Sequence, residues 1–269
     1  MSPFTNIRAL IIDMDGVLWH GEQPLPGLID FFKLLRTKPI PFILATNNAS
    51  LSPDQYVKKL DRMGVAVDRQ EILTSGIATA MFLAKQTNPK STRIYVLGEN
   101  GARQPLLERG FTLTDIFDPN DPTSKADIVV CGKDETVTWN KLADATLNIR
   151  AGARFIGTNA DTTLPTERGT THGNGAILAA LEAATGIKPE IIGKPEPIMY
   201  QQALALLGTP PEETVAIGDR LETDILGAVR ADIRSMLVLT GISSEDELNT
   251  IEYQPTWVLP DLAKIMEVL

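Results

Sequence analysis

Arg8-Ala-Leu-Ile-Ile-Asp13 is a short apolar run that ends in an acid. Three further apolar runs also end in a polar residue, and they cover Ile40–Thr46, Glu213–Asp219 and Ser235–Thr240. Continuous apolar runs of this length are typical of strands buried on both faces, as in a parallel sheet. The acid that ends the first run is therefore expected at the edge of a parallel sheet.

Segments with helical periodicity separate these strands. One of them places apolar residues at the i, i+3, i+4 and i+7 positions, namely Leu28, Phe31, Phe32 and Leu35. Another segment, Ile198–Leu207, is apolar on one face and stops at Gly208, a residue type that commonly follows the last turn of a helix. The alternation predicts an open α/β sheet with right-handed crossovers, whose ligands bind beyond the carboxyl ends of the strands.

The middle of the chain has strand-like and helical runs of its own. This segment, residues 81–185, is long enough for an independent core. We therefore expect two domains in the 269 residues. One would combine residues 1–80 with 186–269, and the other would be the inserted segment 81–185.

Composition excludes several classes of protein. The chain is 43% hydrophobic and 22% charged, which is typical of a soluble globular protein. Its 34 acidic and 25 basic residues give a formal net charge of −9, and it has no Lys/Arg tract, so nucleic acid is not expected as a partner. No apolar run is long enough for a membrane span, and Asp13 interrupts the first run too early for a signal peptide. A single cysteine, Cys131, fits a reducing compartment, and the predicted location is the cytoplasm.

Two motifs place acids directly after strands. Asp13 and Asp15 face the same side if the chain is still extended there, and Gly16 allows a tight, left-handed bend. Asp219 and Asp224 follow a second apolar strand. Each motif alone also fits an ordinary turn rich in Asp and Gly, with Asp219 capping a helix.

Together, the two motifs bring up to four carboxylates toward one crevice. Two unit charges about 4 Å apart repel each other by roughly 4 kcal/mol at an effective dielectric constant of about 20. Such a cluster persists only if it is protonated or neutralised by a cation. Its ligands are all oxygen atoms and the chain has 2 histidines, so Mg²⁺ suits the site better than zinc.

Two further segments offer groups that bind anions. Thr46-Asn47-Asn48 supplies a hydroxyl and backbone N–H groups after a strand, which can cradle a phosphate, although Asx-rich turns also cap helices. Lys194 lies in Gly193-Lys-Pro-Glu-Pro197, whose prolines stiffen the backbone around it. A lone lysine in a turn is usually solvated, but this one gains meaning beside four acids and a phosphate-sized anion. No nucleotide P-loop string is present.

In order and spacing, these motifs resemble the haloacid dehalogenase (HAD) superfamily of phosphohydrolases. Within it the chain is similar to the branch of NagD-type nucleotidases and 4-nitrophenyl phosphatases, subfamily IIA. The resemblance covers nearly the whole chain, through Asp13–Trp19, Pro24–Gly27, Thr158–Asp161, Gly173–Gly175, Gly193–Pro197, Gly218–Asp224 and Leu237–Gly241. It implies a Rossmann-like parallel-sheet core with an inserted α/β cap domain of the C2 type, here residues 81–185.

The resemblance also implies roles for the motif residues. Asp13 would attack phosphorus and form an aspartyl-phosphate, and Asp15 would serve as general acid and then general base. Asp13, the backbone carbonyl of Asp15, and Asp219 would hold Mg²⁺, with Asp224 as an additional carboxylate. Phosphoryl oxygens would be bound by a further set, made of Thr46, the amides of Asn47 and Asn48, and Lys194.

The cap would select the substrate through a loop from Asn159 to Arg168. Leu164 stands at the position of a substrate-selecting side chain in relatives, and it offers no hydrogen bond. Arg168 or Glu167 would contribute, although a solvated loop explains both equally well. His172 stands where relatives commonly have proline, which puts the shape of this loop in doubt. Caps of this branch often mediate dimers, so a homodimer through the cap stays open.

The leading hypothesis is a Mg²⁺-dependent phosphatase acting on small phosphate monoesters. The esters considered are 4-nitrophenyl phosphate, phosphoglycolate, glycerol phosphate and nucleoside monophosphates. The alternative is a phosphoryl-receiver or phosphate-sensing module with little turnover, which the motif order and the long insert disfavour. Haloacid dehalogenation also needs a nucleophilic acid, but it has no use for Asp15.

Overall fold

The computed structural model describes residues 6–166 and 168–269. Its strands are β1 (Ala9–Ile12), β2 (Trp19–His20), β3 (Gln23–Pro24), β4 (Phe42–Thr46), β5 (Ile72–Thr74), β6 (Arg93–Leu97), β7 (Thr112–Thr114), β8 (Ile128–Cys131), β9 (Arg154–Gly157), β10 (Thr163–Thr166), β11 (Gly169–His172), β12 (Glu190–Ile191), β13 (Thr214–Gly218), β14 (Arg234–Val238) and β15 (Trp257–Leu259). Its α-helices are α1 (Leu28–Thr37), α2 (Pro53–Arg62), α3 (Ser75–Gln86), α4 (Asn100–Glu108), α5 (Trp139–Arg150), α6 (Asn174–Thr185), α7 (Pro197–Leu207), α8 (Leu226–Arg230) and α9 (Leu262–Val268).

The chain divides into two compact units. The first unit consists of the residues up to Thr46 together with Pro53–Leu73 and Lys194–Leu269. The second unit consists of Asn47–Ser52 and Thr74–Gly193. The expected boundaries of the inserted segment, 81 and 185, lie inside the second unit, which extends to 74 and 193 and takes residues 47–52 as well.

The sheet of the first unit has the strand order β15-β14-β13-β1-β4-β5. β1 pairs in parallel with β13 on one side and with β4 on the other, so that Ile12 lies opposite both Ile217 and Leu44. All four residues of β1 are buried, as expected for an apolar strand covered on both faces. The predicted α/β class with a parallel sheet is confirmed.

Helices of the first unit follow the predicted patterns. The predicted apolar face of α1 is buried in full, through Leu28, Phe31, Phe32 and Leu35. α7 ends at Gly208, which adopts the left-handed conformation (φ 67°) that glycine reaches without steric cost. Both features confirm predictions made from periodicity and from the end signal.

A second sheet, of order β12-β9-β8-β6-β7, forms the second unit. Its neighbouring strands pair in parallel, and helices α5 and α6 close one core against it through residues such as Leu97, Ile149, Phe155 and Leu181. Cys131 belongs to this core as a buried free cysteine. The predicted α/β character of the insert is therefore confirmed.

One expectation about the second unit is wrong. The segment expected as a loop, from Asn159 to Arg168, contains β10, which pairs antiparallel with β11 so that Leu164 lies opposite Thr171. β-Branched threonines fit the pleated backbone of this hairpin, while the absence of apolar alternation hides it in the sequence. Glu167 lies outside the described residues. Among the helices that the structure describes, none is both long enough and apolar enough to cross a bilayer.

Candidate active site

The candidate site lies at the carboxyl edge of three adjacent strands of the first unit. β1 lies between β13 and β4, and these strands run directly into Asp13, Asp219 and Thr46, the last of which ends β4. The backbone N–H of Asp13 donates to the carbonyl of Ile217 (2.8 Å), so the hydrogen bonds between β1 and β13 continue one residue beyond β1, to Asp13. The parallel register thus gathers polar side chains that are far apart in sequence.

Three carboxylates meet at this edge. One oxygen each from Asp13, Asp219 and Asp224 lie within 4.8 Å of one another. The carboxylate of Asp15 is not part of this cluster, because it turns to the indole of Trp19, whose Nε1 donates to Oδ1 over 2.8 Å. Of the up to four carboxylates expected toward one crevice, three therefore form the cluster.

Lys194 is the positive charge that faces these acids. Its Nζ donates to Oδ1 of Asp13 (2.5 Å), to Oδ1 of Asp224 (2.6 Å) and to the carbonyl of Ala45 (3.0 Å). The side chain is 3% exposed, so the solvated alternative for this lysine is wrong. A salt bridge with this little exposure is screened weakly by salt, in contrast to a surface pair.

Glycines make room for the carboxylates. A Cβ on Gly16 or on Gly241 would overlap the carboxylate of Asp219, and one on Gly218 would overlap Asp224. Gly16 also adopts φ 84°, the left-handed bend predicted for it. Each of these positions therefore requires a residue without a side chain.

Backbone groups fix the direction of the two later acids. Asp219 Oδ2 accepts from the N–H of Ile242 (2.8 Å), and Asp224 Oδ2 accepts from the N–H of Arg220 (3.1 Å). Asp224 lies in a π-helical turn, Leu221–Ile225, a distortion that is frequent at functional sites. The alternative that Asp219 caps a helix is wrong, since the residue that precedes this turn is Arg220.

Burial disfavours the ionised forms of the carboxylates in this cluster. Burial raises the pKa of Asp13 well above its usual value, Lys194 lowers it, and the Asp224 and Asp219 carboxylates raise it further. Burial, together with the Asp224 carboxylate, raises the pKa of Asp219 to about 6. Although burial alone lowers the pKa of Lys194, Asp13 and Asp224 raise it well above the ordinary lysine value, so its ammonium stays charged.

The donor set fits a divalent cation that prefers oxygen ligands. Three clustered carboxylates face one ammonium, which leaves an excess of negative charge in a buried place. A bound Mg²⁺ would offset that excess, and oxygen ligands are what it prefers. The residues present therefore fit the predicted metal.

The side chains of Thr46 and Asp15 are each hydrogen-bonded to one member of a buried aromatic pair, Tyr56 and Trp19. The Thr46 side chain is hydrogen-bonded to the Tyr56 side chain, and Tyr56 stacks on Trp19 with ring centroids 6.5 Å apart. Trp19 and Tyr56 are 0% and 1% exposed.

Asn47 and Asn48 belong to the second unit. The Asn47 side chain donates to Asp161 Oδ1 (3.2 Å), and its carbonyl accepts from Ser75 Oγ (2.6 Å). Asn48 Oδ1 accepts from the N–H (3.0 Å) and the hydroxyl of Ser50, which is the Asx turn considered as an alternative. Their predicted contact with phosphate stays a prediction.

The residues expected to select the substrate line a cavity of the second unit. This cavity of about 620 Å³ is bordered by both predicted residues, Leu164 and Arg168, and also by His172. Lys133 also borders it and pairs with Glu135 at 2.7 Å. The lining is mixed, with apolar, acidic and basic side chains. It is therefore suited to a polar organic group rather than a purely apolar one.

Comparison with known proteins gives this geometry a family. Residues 10–112 match the family described as haloacid dehalogenase-like hydrolase, and residues 191–265 match a HAD-hydrolase-like family. An acid sugar phosphatase of Staphylococcus saprophyticus is 37% identical over 264 residues, which are 98% of each chain. The chain belongs to the haloacid dehalogenase-like hydrolases. The predicted resemblance is thereby confirmed.

Two solved structures of such hydrolases share the fold. NagD from Escherichia coli is 35% identical with a TM-score of 0.86, covering 96% of this chain and 98% of that one. A glycerol phosphate phosphatase of Mycobacterium tuberculosis in complex with magnesium is 35% identical with a TM-score of 0.88, covering 97% of this chain and 77% of that one. This chain is a phosphatase of the NagD-like branch.

Proposed function

We propose that this phosphatase hydrolyses small phosphate monoesters through an aspartyl-phosphate on Asp13, with Mg²⁺ as its cofactor. The observation that carries the proposal is the cluster of Asp13, Asp219, Asp224 and Lys194, with Asp15 two residues after Asp13. These residues would supply a nucleophile, a general acid and a cation site at one strand edge, as phosphoryl transfer requires.

In the first half-reaction, a carboxylate oxygen of Asp13 attacks phosphorus. The bond from phosphorus to the leaving oxygen breaks, its electron pair stays on that oxygen, and Asp15 donates the proton that makes the product alcohol. In the second half-reaction, water attacks the phosphorus of the aspartyl-phosphate and gives its proton to Asp15. The bond to Asp13 breaks, and phosphate and the Asp13 carboxylate are restored.

Lys194 and Thr46 would bind the transferring phosphoryl group. The ammonium of Lys194 already lies 2.5 Å from the Asp13 carboxylate, so it stands beside the atom that attacks. When bound, Mg²⁺ would be held by the carboxylates of Asp13 and Asp219 and the carbonyl of Asp15, with Asp224 beside it, and would offset the charge of the phosphoryl group. Preorganised positive charge of this kind stabilises the transition state.

The substrate class is that of small polar esters. Relatives named acid sugar phosphatase and glycerol phosphate phosphatase support aliphatic esters with hydroxyl groups. The mixed lining of the second unit's cavity supports the same class, if Leu164 and Arg168 select substrate as predicted. A homodimer through this unit and a cytoplasmic location stay predictions.

The test is phosphate release from a panel of monoesters with Mg²⁺ and with EDTA. The panel contains 4-nitrophenyl phosphate, phosphoglycolate, glycerol phosphate, sugar phosphates and nucleoside monophosphates. We expect release that EDTA abolishes, and loss of at least about 10³-fold in Asp13→Asn because the nucleophile is removed. The matched control is Asp30→Asn, at an exposed acid on α1, which should keep full activity.

Two results would contradict the proposal. One is an Asp13→Asn variant that turns over as fast as Asp30→Asn in the presence of Mg²⁺. The other is a folded wild-type protein that carries a lasting phosphoryl group on Asp13 and releases no phosphate, which would favour the receiver alternative.

A further inference from the structure

Asp15 is an exposed side chain with one hydrogen-bond partner. Within residues 6–166 and 168–269, the only group that hydrogen-bonds its carboxylate is the indole of Trp19, at 2.8 Å from Oδ1. As a whole, the residue is exposed to solvent. An exposed aspartate without such a contact samples several rotamers, and a proton donor must be held within hydrogen-bond reach of its target.

Trp19 is itself held firmly. Its carbonyl accepts from the N–H of Gly16 (2.8 Å), and its strand, β2, pairs with β3. The ring is fully buried, and Lys59 Nζ lies 4.6 Å from its centroid on one face. Lys59 in turn donates to the carbonyl of Gly21 (2.7 Å). A cation over an indole face is attracted by the ring quadrupole, which adds to the packing that fixes the ring.

The chemistry of indole limits what this contact can do. Trp Nε1–H is a donor and never an acceptor, so Oδ1 of Asp15 must accept from it throughout the reaction. Because the carbonyl oxygen of a carboxylic acid is a better acceptor than its hydroxyl oxygen, this contact favours Oδ2 as the oxygen that carries the proton Asp15 gives and takes. A contact with a hydroxyl or with the side chain of Asn or Gln would not favour one oxygen in this way, since each of those groups can present either a donor or an acceptor.

We propose that Trp19 is a positioning residue, whose indole N–H fixes the Asp15 carboxylate so that Oδ2 presents the proton to the leaving oxygen. The inference rests on the proposed function, because it concerns the general acid of that reaction. It assigns a role to a residue whose burial alone suggested packing. Trp19 stacks on Tyr56, whose side chain is hydrogen-bonded to Thr46, so the same aromatic pair contacts both the general acid and a proposed phosphate-binding hydroxyl.

The test compares two esters in Trp19→Phe, which keeps an aromatic ring and removes the N–H. Leaving groups differ in their need for a proton: an aliphatic alkoxide needs one, whereas 4-nitrophenolate departs without it. The quantity is kcat/KM, which reports the steps up to departure of the leaving group. For the aliphatic ester that the wild type hydrolyses fastest, we expect a loss of about 10- to 100-fold, against less than about 3-fold for 4-nitrophenyl phosphate.

Two controls separate positioning from stability. The ratio of the two kcat/KM values does not depend on the fraction of folded enzyme, so partial unfolding leaves it unchanged. Trp257→Phe makes the same substitution at another buried tryptophan, on β15, and should leave the ratio at its wild-type value. In an Asp15→Asn background, Trp19→Phe should cost less than about 2-fold more on the aliphatic ester, because a residue that acts through Asp15 has nothing left to position.

The outcomes are distinct. A selective loss on the aliphatic ester that disappears in the Asp15→Asn background supports the inference. The inference is overturned if the wild type is active and Trp19→Phe lowers kcat/KM by the same factor on both esters. It is also overturned if Trp19→Phe lowers kcat/KM for the aliphatic ester as much in the Asp15→Asn background as in the wild type. A folded wild type that hydrolyses neither ester with Mg²⁺ refutes the proposed function itself, and the inference falls with it.

Discussion

The substitution Asp219→Asn should stabilise the metal-free protein while it removes a metal ligand. Burial, together with the Asp224 carboxylate, raises the pKa of Asp219 from 3.8 to about 6. Asp219 is 4% exposed, so solvent screens this effect little. A tenfold change in proton affinity corresponds to about 1.4 kcal/mol, so the ionised carboxylate costs the fold about 3 kcal/mol at pH 7.5. Asparagine carries no charge, and its oxygen still accepts from the N–H of Ile242.

The sign follows from proton linkage. A group whose pKa is raised in the folded state contributes stability below its unfolded pKa, near 3.8, and that contribution is lost as the pH rises through about 6. The advantage of Asp219→Asn should therefore be about 3 kcal/mol at pH 7.5 and about 1 kcal/mol at pH 4.5. For a chain of this size, about 3 kcal/mol corresponds to a rise of about 6 to 12 °C in Tm.

The assay is thermal unfolding in EDTA at both pH values, followed by titration with Mg²⁺. Asp30→Asn is the control, since its exposed partner Lys33 makes a change below about 0.5 kcal/mol the expectation. Mg²⁺ should raise the Tm of the wild type at pH 7.5 and have a much smaller effect on Asp219→Asn. A variant that is less stable than the wild type in EDTA at pH 7.5, or equally stabilised at both pH values, would refute the reasoning.

Two further substitutions test the same cluster. Lys194→Met in EDTA at pH 7.5 should lower the free energy of unfolding by about 3 to 5 kcal/mol, because it leaves buried carboxylates uncompensated. Lys264→Met, which breaks an exposed pair, should lower it by less than about 0.5 kcal/mol. Equal losses for the two variants in urea or thermal unfolding would contradict this. Gly241→Ala should raise the Mg²⁺ concentration for half-maximal activity by about 10-fold, since its Cβ would displace the Asp219 carboxylate, and an unchanged Mg²⁺ dependence would show that this carboxylate is not a ligand.

The sequence predicted those features that depend on local pattern and on strand order. Apolar runs that end in polar residues identified β1, β4 and β13, and the parallel arrangement then required Asp13, Thr46 and Asp219 to meet. Lys194 could be assigned because its motif resembles that of a known family. Helix α1 followed from periodicity alone.

Other features depend on contacts that no local pattern encodes. The carboxylate of Asp15 leaves the acidic cluster because the bend at Gly16 brings Trp19 within hydrogen-bond distance, and nothing in the sequence specifies that approach. The hairpin of β10 and β11 lacks apolar alternation, so it was taken for a loop. Asn47 lies in the second unit through hydrogen bonds to residues more than twenty positions away, such as Ser75 and Asp161.

The most direct test of the account is to trap the phosphoryl group on the enzyme. Asp15→Asn, which lacks the general base for the second half-reaction, is mixed with 4-nitrophenyl phosphate and Mg²⁺, quenched in acid, digested at low pH and analysed by mass spectrometry. The account predicts one phosphoryl group on Asp13, lost on treatment with hydroxylamine and absent when EDTA replaces Mg²⁺. A phosphoryl group on another residue, or phosphate release by Asp15→Asn at the wild-type rate with none on Asp13, would contradict it.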